Sequence, residues 1–323
     1  MTSITDPLVS VVLPTDTYET IAPVLESLRR LEAPERLEVI LVSPEADDLR
    51  AAALGTTGFH SVRVCHTDTL APMGAARAVG VEASSAPYVF IGETHSYLWP
   101  DALEKLLSAL VDGNADVAVP GFVNGNPDSA FSWAGFFLGY ARWGADLEVY
   151  AIRECPTYNC LVRREVLLAM GDSLPGMLHN GEILNEALAK QSRRLVFAPD
   201  ARISHQNMEK AWPSTIEHFA IGYTIGSRRA ASWSPIRRLA YMAGSILVPA
   251  VLLIRTWRPI RSLGAKHPFP VLTLPTLLLL LVAKAMGEAF AYAGIPFGSC
   301  EEIRAKYEIR RLDYASGFNS LKK

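Results

Sequence analysis

The sequence predicts an α/β fold: a mostly parallel sheet with helices on both faces, followed by a block of apolar helices. Three observations carry this. Short apolar runs alternate four times with amphipathic helical patterns before residue 111. Those runs are apolar throughout rather than at every second residue, the pattern of parallel strands covered on both sides. The stretch from Leu239 to Met286 is far more apolar than the rest of the chain.

The first run, LVSVVLP, is a β-branched buried strand ended by Pro14. TDTYETIAPVLESLRRLE follows, with Ile21, Val24, Leu25, Leu28 and Leu31 at amphipathic spacing behind a Thr/Asp cap. LEVILVS (37–43) is the second strand, with the short helical DDLRAAAL after it. SVRVCH (61–66) and the helix GAARAVGVEAS come next, then YVFIG (88–92) and PDALEKLLSAL, opened by Pro100 in its first turn. From about 115 to 210 the pattern changes to mixed α+β. It comprises ADVAVPGFVNGNP, the aromatic-rich SAFSWAGFFLGYARWG, helices at RREVLLAMG and GEILNEALAK, and a strand pair RRLVFAP and ARISH.

Composition narrows the possibilities. With a net charge of -2 and a pI near 6.4, the overall charge gives no argument for nucleic acid. Cys65, Cys155, Cys160 and Cys300 form neither a CxxC pair nor a disulfide framework, which suits a reducing cytosol. The N-terminus lacks a basic region and enters a strand at once, so no signal peptide is expected there.

In parallel sheets of this kind ligands bind at the carboxyl ends of the strands. The order of VSVVLPT, LEVILVS, MGAARAVGVEASSAPYVFIGETH and PDALEKLL resembles the nucleotide-binding half of the family-2 glycosyltransferases. YNCLVRREVLLAMG and GEILNEALAKQSRRLVFAPDARISH resemble the segments that close that family's acceptor site, so the likeness runs from about residue 8 to 207. It implies a GT-A, Rossmann-like domain over residues 1–232, with a nucleotide-binding half to about 115 and an acceptor half from 116. A membrane-associated helical hairpin over 233–300 and a polar tail over 301–323 would follow.

The resemblance also implies site residues. The family ends its fourth strand in Asp-x-Asp about seven residues before the helix-opening proline; counting back from Pro100 puts Glu93 and His95 on those positions. A divalent cation there would offset the charge that builds on a departing nucleoside diphosphate. An imidazole beside a carboxylate favours Mn²⁺ over Mg²⁺. The structural alternative makes Glu93 a helix-entry carboxylate and His95 a hydrogen-bonded loop residue. Pro14, Thr15 and Glu19 match the start of the pocket for the base, with a first-turn helix carboxylate facing the dipole as the alternative for Glu19, and Glu45 or Asp47 stands where relatives carry Asp-Asp-Gly. Gly74 permits close backbone approach, and Arg77, one helical turn on, offers a bidentate phosphate partner or a solvated helix cation. Inversion needs a base for the acceptor hydroxyl; of Glu182 and Glu186, Glu182 stands at the helix entry and is chosen, with a capping carboxylate as the alternative. His205 matches a histidine that relatives place near metal or diphosphate, with a structural strand-end histidine as the alternative, and Asn159 matches a position lining the acceptor side, with a buried hydrogen-bonding amide as the alternative.

LAYMAGSILVPAVLLI and PFPVLTLPTLLLLLVA are uncharged runs of sixteen residues, marginal for a bilayer crossing that takes about 20. Arginines flank the first on both sides, so two tilted spans and a one-leaflet hairpin both remain open. QNMEKAW lacks the arginine of the processive-synthase signature, which implies a single transfer. The expected function is a membrane-associated inverting glycosyltransferase on the cytoplasmic face, moving a sugar from a nucleotide-sugar donor to a lipid-linked or glycan acceptor. The rival is a catalytically degenerate relative that binds nucleotide or a partner at the membrane.

Overall fold

A computed structural model describes residues 6–53, 55–147 and 151–315. In chain order the elements are β1 (Val9–Pro14), α1 (Tyr18–Leu28), β2 (Leu37–Ser43), α2 (Ala46–Ala53), β3 (Ser61–His66), α3 (Met73–Ala83) and β4 (Tyr88–Ile91). There follow β5 (Ser96–Leu98), α4 (Ala102–Asp112), β6 (Val117–Asn124), α5 (Ala130–Gly139), β7 (Leu161–Arg163), α6 (Arg164–Leu168), α7 (Leu174–His179), α8 (Gly181–Lys190) and β8 (Leu195–His205). The chain then becomes helical through α9 (Ala211–Ala230), α10 (Pro235–Gly244), α11 (Val248–Gly264), α12 (Thr273–Ala293) and α13 (Cys300–Ile309).

The eight strands form one mixed sheet in the order β3-β2-β1-β4-β7-β6-β8-β5. Its first four strands are parallel, as their apolar runs predict. β1 and β2 are buried along their whole length, whereas β3, at the sheet edge, is partly exposed. Beyond β4 the sheet turns antiparallel through β7 and β6. The strands β5 and β7 were not expected: three residues are too few to show a period. RRLVFAP and ARISH are not a strand pair but one strand, β8, because the fixed φ of Pro199 fits extended backbone and does not break it.

The residues group into two compact units, Met1–Val123 with Glu148–Ser204, and Asn124–Leu147 with His205–Lys323. The first holds the parallel strands. Its helix α3 lies so close to α7 that a Cβ at Gly74 would sit 2.1 Å from the Pro175 carbonyl oxygen. In the second unit, α9 and α12 cross at glycines. A Cβ at Gly222 would lie 2.0 Å from the Lys284 carbonyl oxygen, and one at Gly287 2.1 Å from that of Phe219. Trp133 and Phe137 of α5 pack on Phe269, with ring centroids 5.9 and 5.4 Å apart.

Candidate functional site

The end of β4 delivers the chain into a buried polar turn. Gly92 N donates to the Val12 carbonyl at 2.9 Å and keeps the strand against β1; the next four residues, Glu93, Thr94, His95 and Ser96, are all buried. Glu93 Oε2 accepts from Ser96 Oγ at 2.6 Å and from Asn159 Nδ2, and lies 3.7 Å from His95 Nε2. Thr94 Oγ1 is 3.4 Å from His95 Nδ1. A carboxylate and an imidazole at this separation, the carboxylate oriented by two further donors, fit two ligands of one divalent ion. With Glu93 4% and His95 0% exposed, a ligand reaches them only by displacing what covers them.

Asn159 fixes this turn from outside it. Its backbone is left-handed, φ 57°, a conformation asparagine tolerates better than other side-chain-bearing residues. Its N–H donates to the Ile91 carbonyl at 2.6 Å, and Nδ2 reaches Ser96 Oγ at 3.0 Å as well as Glu93. Those two acceptors force the amide orientation. Oδ1 is then buried with no hydrogen-bond partner among the described residues, a hard oxygen of the kind Mg²⁺ and Mn²⁺ take.

The same loop ties the turn to the segment carrying the expected base. Asn185 of α8 accepts from Cys155 N at 2.8 Å and donates to the Cys155 carbonyl at 2.9 Å and to that of Gly181 at 2.8 Å. Tyr158 lies under the Arg77 guanidinium, 4.3 Å from carbon to ring centroid. Arg77 is 3% exposed and donates through Nη1 to the Leu178 carbonyl at 3.0 Å, so this cation is spent inside the unit and is not solvated. Gly74 makes its close approach to the α7 backbone. Glu182 is exposed in the first turn of α8, its N–H capped by Asn180 Oδ1 at 3.0 Å; Glu186 pairs with Lys190 at 2.9 Å.

Pro14 and Thr15 end β1 beside β2, with Thr15 N donating to the Val42 carbonyl at 2.9 Å. Both are buried, while Glu19 and Glu45 are exposed, and Asp47 pairs with Arg50 at 2.6 Å. His205 closes β8 and belongs to the second unit, where its ring meets Tyr140 with centroids 4.3 Å apart and Nδ1 lies 2.9 Å from Asn207 Oδ1. Burial, with the Arg311 charge, holds its pKa well below the usual 6.5 against the Asn207 bond, so the imidazole is neutral and suited to bind a cation. Sequence reasoning missed Ser96, Tyr158 and Asn185 altogether and the bond from Asn159 to Glu93. A serine three residues after the carboxylate was the one signal available.

No curated protein matches the chain. Among solved structures it is similar to "S. aureus TarS 1-349", at 15% identity and TM-score 0.46, over 95% of this chain and 91% of that one. The same protein "in complex with UDP" gives 16% and 0.48, over 93% and 91%. "GalNAc-T7 with UDP, GalNAc and Mn2+" gives 14% and 0.45, over 62% of this chain and 43% of that one. At the level of sequence, residues 10–171 match the family described as glycosyl transferase family 2. That match covers half the chain and takes in β1 to α6, the Glu93 turn and Asn159, so the protein belongs to glycosyl transferase family 2.

Proposed function

We propose that this glycosyltransferase uses a nucleotide-sugar donor and inverts the anomeric centre, on a lipid-linked or glycan acceptor at the cytoplasmic face of a membrane. The observation that carries the reading is the buried Glu93 carboxylate at the end of β4, held by Ser96 and Asn159 with His95 3.7 Å away. Glu93 and His95 would hold a divalent cation, Mn²⁺ in preference to Mg²⁺, with His205 the further ligand the family resemblance supplies. When bound, the ion stabilises charge on the departing diphosphate. Pro14, Thr15, Glu19 and Glu45 serve the nucleoside. Gly74 and Arg77 serve the phosphates, the arginine after exchanging its bond to Leu178.

In the transfer step the acceptor hydroxyl oxygen bonds to the anomeric carbon from the face opposite the donor oxygen. The carbon–oxygen bond to the nucleoside diphosphate breaks, and the hydroxyl proton passes to the Glu182 carboxylate. The exposed position of Glu182 at the entry of α8, stitched by Asn185 to the loop that holds Asn159, supports this role. For the membrane, the support is Pro235–Gly264, whose most apolar 18-residue stretch has a mean hydropathy of 1.7 and is 6% buried, and Thr273–Ala293, whose corresponding stretch has 1.6 and is 50% buried.

Release of nucleoside diphosphate from a panel of nucleotide sugars, with Mn²⁺, Mg²⁺ or chelator, tests the reading. Turnover with one donor class, highest in Mn²⁺ and lost in Glu93→Gln, is expected. Undiminished turnover in Glu93→Gln would refute the assignment of the ion site.

A further inference from the structure

Apolar helices alone do not say whether a chain crosses a bilayer or lies on it; the anchoring, the charge and the length of α10–α11 together point to one mode. Its first end is anchored to α12: Trp233, just ahead of α10, stacks on Tyr292 with centroids 5.5 Å apart and planes 20° off parallel. Its far end is anchored to the 141–147 segment. Leu263 is buried where a Cβ on Gly144 would come within 3.0 Å of it, and His267 Nε2 sits 2.7 Å from Asp146 Oδ2. Both anchors lie in the second unit. A helix with both ends fixed to one folded unit can enter a bilayer only together with the parts of that unit it is tied to.

The other long apolar helix is tied to a partner that carries charge. α12 is pressed against α9 at Gly222 and Gly287, and its Glu288, 5% exposed, pairs with Arg229 of α9 at 3.7 Å. Carrying α12 across hydrocarbon would carry the charges of α9 with it. The uncharged run from Leu239 to Ile254 is moreover sixteen residues, about 24 Å at a 1.5 Å rise, against a core of roughly 30 Å.

Charge names the surface that α10–α11 meets. The chain as a whole is net -2, yet from His218 to Gly287 it has no Asp or Glu and nine Lys or Arg. Ile246, Leu247 and Ile254 stand 82%, 62% and 75% exposed at the middle of the segment, with Arg255, Arg258 and Arg261 exposed just beyond them. At the near end the Arg237 guanidinium rests over Trp233 at 4.3 Å, an arginine–aromatic pair suited to the headgroup layer.

We infer that α10–α11 is a one-leaflet anchor: its apolar middle enters the interface of an anionic phospholipid bilayer, its arginines meet the phosphates, and no part of the described chain crosses. This rests on the membrane association proposed above and fixes its mode.

The test is flotation of the full chain with preformed vesicles of phosphatidylcholine alone or mixed with phosphatidylglycerol. A fluorophore on Leu247→Cys, in a Cys65→Ser background because the other three thiols are buried, reports depth against nitroxides near the headgroup or at the acyl-chain end. Expected are flotation with anionic vesicles that salt reverses, stronger quenching by the headgroup-side nitroxide, and about a hundredfold weaker partitioning when Arg255, Arg258 and Arg261 are all changed to Gln. Strongest quenching from the chain-end nitroxide would overturn the one-leaflet mode and leave membrane association standing. Equal flotation on neutral vesicles would overturn anionic recognition. Flotation on neither would overturn the inference and membrane association together.

Discussion

Replacing Asn159 separates two things this residue does. Asn159→Ala removes the donor from a buried carboxylate and places an ordinary L-residue at φ 57°. A hydrogen bond to a charged group contributes about 1.5–3 kcal/mol, and the left-handed conformation costs alanine about 1 kcal/mol more, so the loss is roughly 2.5–4 kcal/mol. Asn159→Gly keeps the backbone and loses only the first part. Thermal unfolding should rank wild type above Gly and Gly above Ala, each kilocalorie moving Tm by about 2–4 °C in a domain of this size. Because Asn159 orients Glu93 from behind, both variants should also weaken Mn²⁺ activation by about 10–100-fold, read as the Mn²⁺ concentration for half-maximal turnover. If Asn159→Gly kept both the wild-type Tm and the wild-type Mn²⁺ response, the idea that this amide sets the Glu93 carboxylate would be wrong.

Glu182→Gln should lower kcat by about 10²–10⁴-fold while donor KM stays put, since a general base acts on the acceptor proton and not on donor binding; an unchanged kcat would remove it as the base. Gly287→Ala forces a methyl to within 2.1 Å of the Phe219 carbonyl oxygen and should destabilise the second unit by about 1–3 kcal/mol in denaturant titration, whereas an unchanged midpoint would contradict the close helix crossing. For Glu38, burial alone would push the carboxyl up, but the hydrogen bonds from Ser10 and Ser85 and the charge of Arg63 outweigh it and hold the pKa below the usual 4.5. A depressed carboxylate adds stability above its unfolded value and loses it as pH falls through the folded one. The chain should therefore weaken as pH drops below 4.5, and Glu38→Gln, less stable at neutral pH, should show a shallower acid slope in urea unfolding.

The parallel half of the sheet could be read from residue order because a strand buried on both faces has to be apolar throughout: VSVVLP and LEVILVS carry their burial in their composition. Glu93 and His95 were legible for a related reason, since the end of a parallel strand is fixed by the strand; Pro100 stands just ahead of the N-cap Asp101 of α4 and not in its first turn, but still marks the approach to that helix. Short strands such as β5 and β7, and the passage of β8 through Pro199, were not, because pairing partners distant in sequence decide them.

What the sequence by itself determined is the class of sheet, the family-like turn after the fourth strand and the acid-free, arginine-rich apolar block. Tertiary structure alone decided the use of each. Asn159, 66 residues from Glu93, becomes its hydrogen-bond donor only because a left-handed turn aims it there. Arg77 is committed to Leu178, 101 residues away, and α10–α11 is held at both ends by residues of one folded unit. Periodicity encodes which face of an element is buried; it carries no record of which remote element will do the burying.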